Sequence, residues 1–316
     1  MKPKEFWQNF KLGEEQEIAC NFIYDALRNF HQMETISVER EIFPVLYNLS
    51  IGIERLLKVV ITLVEFDEHT NHIEFEESLI NHNHISLLNR LKENRQINLD
   101  KVHTELLDIL TKFYKIHRYD RFSLESIQNL DKDKKVLHNY FHKHIDIDIT
   151  EDFPITAVWN TIQVKKFFGK VVKKLTKELY RIIKEEAERK NIYTYEISES
   201  GSKAAKILWG DDDLNFENED RSIIEILIFF LHNQESAQIN FMKDIDPLNL
   251  DPGLSSEYLQ VLLNNSSFYY SSVLDEVEYC YQEDVDDMGE RLELIDAVHS
   301  QYSDEISDYG LDIDYD

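Results

Sequence analysis

The sequence predicts an all-α protein, on the evidence of one long apolar segment and of few helix-breaking residues. Apolar side chains recur at intervals of three and four through residues 45–65, which is typical of a helix. The chain has only eight Gly and five Pro among 316 residues, and 42% of its residues are apolar. These values argue against disorder and against a loop-rich β protein. A helix as apolar as residues 45–65 needs other helices around it, so we expect a helical bundle.

The same spacing places the other elements of the first half. A first helix is predicted from Gly13 to Gln32. The core helix is predicted to begin at Pro44, because a proline in the first turn of a helix loses no hydrogen bond. A polar loop is expected from Asp67 to Asn81, and further helices over residues 99–116 and 124–143.

A polar connector over residues 145–152 leads to the clearest amphipathic helix, which is predicted from Pro154 to about Lys190. Its basic residues repeat with the spacing of its apolar residues, two positions later. Two residues turn a helix by about 200°, so the basic residues should lie almost opposite the apolar ones. This basic stripe consists of Lys166, Lys170, Lys173, Lys177, Arg181 and Lys184. It is interpreted as a solvated face, as a docking surface for the chain's own acidic third, or as an RNA phosphate-binding surface.

The last third of the chain is strongly acidic. Residues 211–316 hold 28 Asp and Glu against three Lys and Arg, whereas residues 1–210 hold 33 acidic and 31 basic residues. Such an asymmetry is typical of an acidic tail or of a partner-binding surface. It argues against a general duplex-DNA binder, because contacts to phosphates need Lys and Arg.

We therefore divide the chain into a helical bundle, residues 1–190, and an acidic, mainly helical region, residues 191–316. Within the second region, residues 192–197 alternate like a short strand or hairpin, and residues 223–232 predict a buried helix. Three further helices are predicted, over residues 258–264, 269–281 and 290–302. The acidic tail from residue 303 is expected to be mobile.

Several kinds of site have no support in the sequence. Cys20 and Cys280 are too isolated for a disulfide framework, and no glycine-rich phosphate-binding loop is present. His138 and His142 have the spacing of zinc ligands on a helix, but the Glu of a metalloprotease motif is missing. We expect no metal and no cofactor. No apolar run approaches the roughly 20 residues of a membrane span, so we expect a cytoplasmic protein without a membrane segment.

Three segments together resemble the HEPN superfamily of helical proteins. The first is Gly52-Ile53-Glu54-Arg55-Leu56-Leu57-Lys58, the second is Asn81-His82-Asn83-His84 with Leu87-Leu88, and the third is Phe113-Tyr114 with His117-Arg118-Tyr119. The resemblance covers roughly residues 15–145, or up to residue 190 if the long amphipathic helix is included, and it makes residues 1–190 a HEPN-like bundle. It implies a prokaryotic helical bundle that forms homodimers. Proteins of this kind are often RNA-cutting toxins, phage-defence components or their inactive relatives.

The resemblance also implies candidate catalytic residues. The family's pattern is an Arg followed after four to six residues by a His, which together act as a metal-independent ribonuclease. Arg118 has the matching place here, but the residues at the family's offsets from it are not His. Catalysis would therefore pair Arg118 with another residue, and the resemblance suggests Glu54 as a carboxylate partner. The plain alternative is that Glu54 and Arg118 form a structural ion pair or are two solvated charges.

Two functions from different classes remain open. The first is a bacterial defence or toxin–antitoxin protein that acts on or binds RNA, or binds a protein partner. The second is an acidic interaction module or inhibitor without enzymatic activity, whose Asp and Glu imitate a nucleic acid and occupy the groove of a basic protein partner. A helical scaffold with no activity of its own is a third interpretation.

Overall fold

The computed structural model confirms the all-α class, with helices as the dominant element. It describes residues 6–120, 122–124, 131–145, 149–152, 155–192, 202–210, 214, 216–232, 237–263, 272–283 and 288–296. The chain forms two compact units, Met1–Phe216 and Glu217–Asp316. The sequence-based division after residue 190 differs from this one because a short helix beyond residue 190 packs within the first unit.

The first unit contains eight labelled helices. They are α1 (Leu12–Gln32), α2 (Glu39–Glu65), α3 (His72–Ser78), α4 (His84–Asn94), α5 (Lys101–Lys112), α6 (Lys132–His144), α7 (Ile162–Lys190) and α8 (Lys203–Leu208). A π-helical turn, Trp7–Lys11, leads into α1, and a second one, Phe113–His117, continues α5 into the helical residues Arg118–Asp120. A short hairpin pairs β1 (Ile149–Asp152) with β2 (Ile155–Val158) in antiparallel register. This hairpin was not predicted, because four-residue strands are too short to show a period. The predicted start of the long amphipathic helix at Pro154 was therefore wrong, since β2 occupies residues 155–158 and α7 begins at Ile162.

Helix α2 is the centre of the first unit, as predicted, and packs against α1, α4 and α7. It begins at Glu39, so the predicted start at Pro44 was wrong and the proline lies inside the helix. Pro44 has no N–H to donate to the helical carbonyl of Arg40. Gly52 allows α1 to lie close to α2, since a Cβ at this position would be 2.6 Å from a side-chain carbon of Ile23.

Side-chain caps explain where several of these helices begin. The side chain of Asn71 accepts a hydrogen bond from the N–H of Ile73 and starts α3, a helix inside the stretch predicted as a loop. Thr161 caps α7 in the same way, and Asn191 ends α7 in the left-handed conformation that Asn tolerates.

The second unit has a smaller core. Its helices are α9 (Glu217–His232), α10 (Ala237–Lys243), α11 (Ser255–Leu263) and α12 (Val273–Glu283), with a 3-10 turn at Pro252–Leu254 and helical residues 288–296. Its described residues include four buried apolar side chains: Ile239, Val261, Val273 and Cys280. The helix predicted over residues 223–232 is present as part of α9. The prediction that it is buried was wrong, since none of its side chains is buried.

Two other predictions fall on residues outside the described set: the strand at 192–197, apart from Ile192, and the tail from residue 303. In the part of the chain that the structure describes, no helix is both long and apolar enough to cross a membrane.

Candidate functional site

Helix α2 carries a row of polar residues, Ser50, Glu54 and Lys58, on one side. Their spacing of four residues brings them onto the same helix face. The Glu54 side chain is only 9% exposed, and one of its carboxylate oxygens accepts a hydrogen bond from Lys58 Nζ at 2.6 Å. A nearly buried carboxylate of this kind is held in place by its cation.

The start of α4 brings a histidine to this row. The side chain of Asn83 caps α4 by accepting a hydrogen bond from the N–H of Ser86 at 3.0 Å. His84 is fully buried, and its Nε2 donates to the Ser50 carbonyl at 2.8 Å. Burial lowers the pKa of His84, which keeps its ring neutral. These contacts hold the start of α4 against α2. His82, two residues before His84, therefore lies beside Glu54, which is one helical turn after Ser50 in α2.

His82 is hydrogen-bonded to Glu54. Its Nδ1 lies 3.0 Å and 3.1 Å from the two Glu54 carboxylate oxygens, and its side chain is 50% exposed. An ionised carboxylate can only accept hydrogen bonds. The hydrogen of the neutral His82 ring is therefore on Nδ1, and this N–H donates a hydrogen bond to Glu54. In the neutral ring, Nε2 then keeps its lone pair. This is the arrangement in which an imidazole can act as a general base.

The π-helical turn positions Arg118. Buried His117, the last residue of the turn, places its Nδ1 2.8 Å from a carboxylate oxygen of buried Asp133 in α6. This contact ties the turn to the bundle. The Arg118 guanidinium carbon then lies 3.8 Å from the ring centre of Tyr114, a distance that gives a cation–π contact.

The ring of Tyr114 connects Arg118 with His82. The centres of the Tyr114 and His82 rings are 5.2 Å apart, and Tyr114 also stacks on Tyr47 of α2. The guanidinium donates from Nη2 to the Tyr119 hydroxyl at 2.7 Å, while its Nε is buried without a hydrogen-bond partner among the described residues. Glu54, Lys58, His82, Tyr114 and Arg118 thus form one group, the His82 cluster.

Of the cluster, only Glu54 and Arg118 were predicted as site residues. Lys58, His82 and Tyr114 occur in the segments that resemble the HEPN superfamily, but no role was predicted for them. The structure connects the two predicted residues through His82 and Tyr114, and Glu54 pairs with Lys58 and His82 rather than with Arg118. The resemblance leads one to expect a His shortly after Arg118, whereas His82 precedes Arg118 by a long stretch of chain. The sequence Asn-His-Asn-His just before a helix could have indicated that a histidine is held in a fixed position there.

The basic stripe of α7 is only partly exposed. Lys170, Lys177 and Lys184 are exposed and Lys166 is half-buried, but Lys173 is 2% exposed and was wrongly placed on the stripe. Its Nζ donates to the carbonyls of Lys206 at 2.9 Å and Ile207 at 3.3 Å. The reason is that α8 packs on a second side of α7 and widens its buried face.

Arg181 of the same stripe is engaged in ion pairs. Its guanidinium lies 2.9 Å from Glu178 and 2.6 Å from Glu185, and it also donates to the carbonyl of Gln96 at 2.8 Å. These carboxylates compensate its charge, so a phosphate gains less from Arg181 than the sequence suggested. The role of the remaining stripe stays a prediction.

The histidines considered as zinc ligands have other surroundings. His138 is buried, and its Nε2 bonds to the Ile36 carbonyl, whereas His142 is exposed. Among the described residues, no group of three or more His, Cys, Asp or Glu side chains is placed to hold a metal ion.

Comparisons with models of protein families, with curated proteins and with solved structures found no match to the chain. The resemblance to the HEPN superfamily therefore stays a prediction from the quoted residues. The His82 cluster is interpreted from its own geometry and chemistry.

Proposed function

We propose that the chain is a metal-independent ribonuclease whose His82 cluster cleaves single-stranded RNA. The observation that carries the proposal is the half-exposed His82 ring, hydrogen-bonded through Nδ1 to Glu54 and adjacent to the Tyr114 ring on which Arg118 lies. A base, its orienting carboxylate and a cation for the phosphate are groups that serve this reaction. A defence or toxin–antitoxin role and a homodimer are further parts of the proposal, and they rest on the HEPN resemblance.

In this reaction, His82 acts as the base. Its Nε2 takes the proton of a ribose 2′-hydroxyl, and the 2′-oxygen then attacks the adjacent phosphorus. The bond from phosphorus to the 5′-oxygen of the next nucleotide breaks, and that oxygen takes a proton from water. The products are a 2′,3′-cyclic phosphate and a free 5′-hydroxyl. Glu54 stabilises the imidazolium that forms, as an orienting carboxylate does in other base-carboxylate pairs.

Arg118 supplies positive charge to the phosphate, whereas the charge of Lys58 is compensated by Glu54, 2.6 Å away, and holds that carboxylate in place. The ring centres of Tyr114 and Tyr119 lie 3.8 Å and 4.5 Å from the guanidinium carbon of Arg118, so two aromatic rings hold this cation in place. Charge placed in advance where the transition state needs it lowers the barrier.

The test is cleavage of a labelled single-stranded RNA by the purified full chain and by single variants. We expect His82→Ala to lower the rate by about 10² to 10⁴, the usual contribution of a general base. Arg118→Ala should lower it by about 10² to 10³. The matched controls are His142→Ala and Lys115→Ala, which remove an exposed histidine and an exposed cation outside the cluster.

Two further measurements separate this activity from a contaminating nuclease. Cleavage should continue in excess EDTA, and an RNA with a single 2′-deoxynucleotide at the cleaved position should resist cleavage there. Unchanged cleavage in both His82→Ala and Arg118→Ala, with folded variants, would refute the proposal. Equal loss of activity in the two control variants would also count against it.

A further inference from the structure

Helix α9 of the second unit carries an exposed apolar surface that ribonuclease chemistry does not use. Six of the eight apolar side chains in residues 223–231 are between 40% and 69% exposed. They are Ile224, Ile226, Ile228, Phe229, Phe230 and Leu231, and together we call them the α9 apolar surface. At 100° per residue these positions lie on both sides of Glu225, so most of the helix circumference is apolar. Such a helix is normally covered by another surface.

The neighbouring helix extends this surface rather than covering it. Helix α11 packs beside α9, where Ile223 and Leu227 are half-buried. On α11, Leu259 and Leu262 are themselves 48% and 58% exposed. Exposed apolar side chains therefore occur on two helices that pack beside each other, in greater number than the scattered single residues of an ordinary surface.

Charge indicates what kind of partner fits. Three acidic residues occupy the first turn of α9, and Glu225 interrupts its apolar run. The single Lys or Arg of the helix, Arg221, already lies 3.4 Å from the Glu217 carboxylate. Residues 217–316 as a whole hold 25 acidic and three basic residues. A second copy would bring the same negative charge, and like charges oppose association, whereas a basic partner is attracted.

We propose that the α9 apolar surface binds a basic amphipathic helix of a partner protein. The apolar face of that helix covers Ile224 and Ile228, and its Lys and Arg side chains meet the surrounding carboxylates. Helix α9 has 16 residues, or about 24 Å, so a matching helix has about four turns. This interaction does not depend on the His82 cluster.

The test uses the full chain and two synthetic 16-residue amphipathic peptides. Both carry the same Leu positions, with Lys at the polar positions of one and Glu at those of the other. We expect the Lys peptide alone to bind in fluorescence anisotropy, more weakly as salt screens the carboxylates. Ile228→Asp should weaken this binding about tenfold or more, because one buried Ile contributes about 1.5–3 kcal/mol.

Ile228→Asp separates apolar contact from simple charge attraction. It adds a negative charge, so charge attraction alone would strengthen binding of the Lys peptide, whereas loss of the apolar contact weakens it. Ile73→Asp, a matched change at an exposed position of the first unit, should leave binding unchanged. Three outcomes would overturn the proposal: no binding of the Lys peptide, equal binding of the Glu peptide, or full binding in Ile228→Asp. A dimer in analytical ultracentrifugation that Ile228→Asp dissociates would instead assign the surface to a second copy.

Discussion

The two compact units differ in how much of their apolar surface they bury. The first unit has one contiguous core that includes side chains from Leu12 to Phe216. In the second unit, residues 223–231 contain eight apolar side chains, yet none of them is buried. Apolar content is therefore not what separates the units. The first unit packs several helices, α1, α4 and α7 among them, against α2, whereas the described part of the second unit packs α11 beside α9 and leaves most of its apolar side chains exposed.

This difference bears on where each unit's stability and function come from. A helix surrounded by its own chain, such as α2, owes its stability to packing within the unit, so its polar residues can be held in fixed positions. An uncovered helix such as α9 has free energy still to gain from a partner. On this view, the first unit is suited to a preformed site and the second to association.

The largest effect that distinguishes the units should come from the same substitution made in each. Phe141→Ala empties a fully buried position in the first unit and should lower the free energy of unfolding by about 3–5 kcal/mol. Phe229→Ala removes a half-exposed ring in α9 and should change it by no more than about 0.5 kcal/mol. Urea unfolding followed by circular dichroism measures both.

Tryptophan fluorescence makes the first of these measurements specific. Trp7, Trp159 and Trp209 all belong to the first unit. Their unfolding transition should move in Phe141→Ala and stay in place in Phe229→Ala. Equal shifts in the two variants would remove the contrast between the units.

An intermediate effect should come from adding one methyl group at a glycine. In Gly52→Ala the new carbon would lie 2.8 Å from the Ala19 carbonyl oxygen, so α1 and α2 must move apart. We expect a cost of about 1–3 kcal/mol, as for other overpacked cores. In the second unit, Gly253→Ala meets only the Asp251 side chain, at 3.1 Å, which can turn away. Its melting temperature should stay close to that of the parent chain.

The smallest of the three effects should be a dependence on pH. Burial lowers the pKa of His84, His103 and His138, all in the first unit, so these rings are neutral when the chain is folded. In the unfolded chain they take up protons near their ordinary pKa of about 6.5. Their contribution to stability is therefore complete above that pH and is lost as the pH falls below it.

We expect the tryptophan-detected free energy of unfolding to decrease from pH 7.5 to pH 5.5. The decrease should be smaller in His84→Gln, whose amide can still donate to the Ser50 carbonyl. If the free energy of unfolding decreases by the same amount in this variant, His84 does not contribute to the pH dependence.

The helices could be predicted from the sequence because their spacing is a local property. Helix α1 was predicted from Gly13 to Gln32 and runs from Leu12 to Gln32. Burial depends on neighbours that the spacing does not reveal. Helical periodicity therefore located the apolar residues of α9 but not their exposure, and it placed Lys173 on an exposed face that α8 covers.

The candidate site was predictable only in part, for a related reason. Glu54 and Arg118 could be named because short segments around them resemble a known pattern. The Glu54–His82 hydrogen bond joins helices that are distant in sequence, and it depends on how His84 anchors α4 to α2. Contacts of this kind follow from the packing of the bundle rather than from a spacing within one helix.

The π-helical turn at Phe113–His117 has a consequence for insertions and deletions. A turn of this type is an α-helix that has accommodated one extra residue. Removing one residue between Tyr114 and Arg118 would restore regular α-helix, and the residues on either side of the turn would keep their places. Arg118 would then follow Tyr114 by three residues instead of four, a spacing that still puts both side chains on one face of an α-helix. Among relatives of this chain, a turn that is one residue shorter is therefore compatible with an intact cluster.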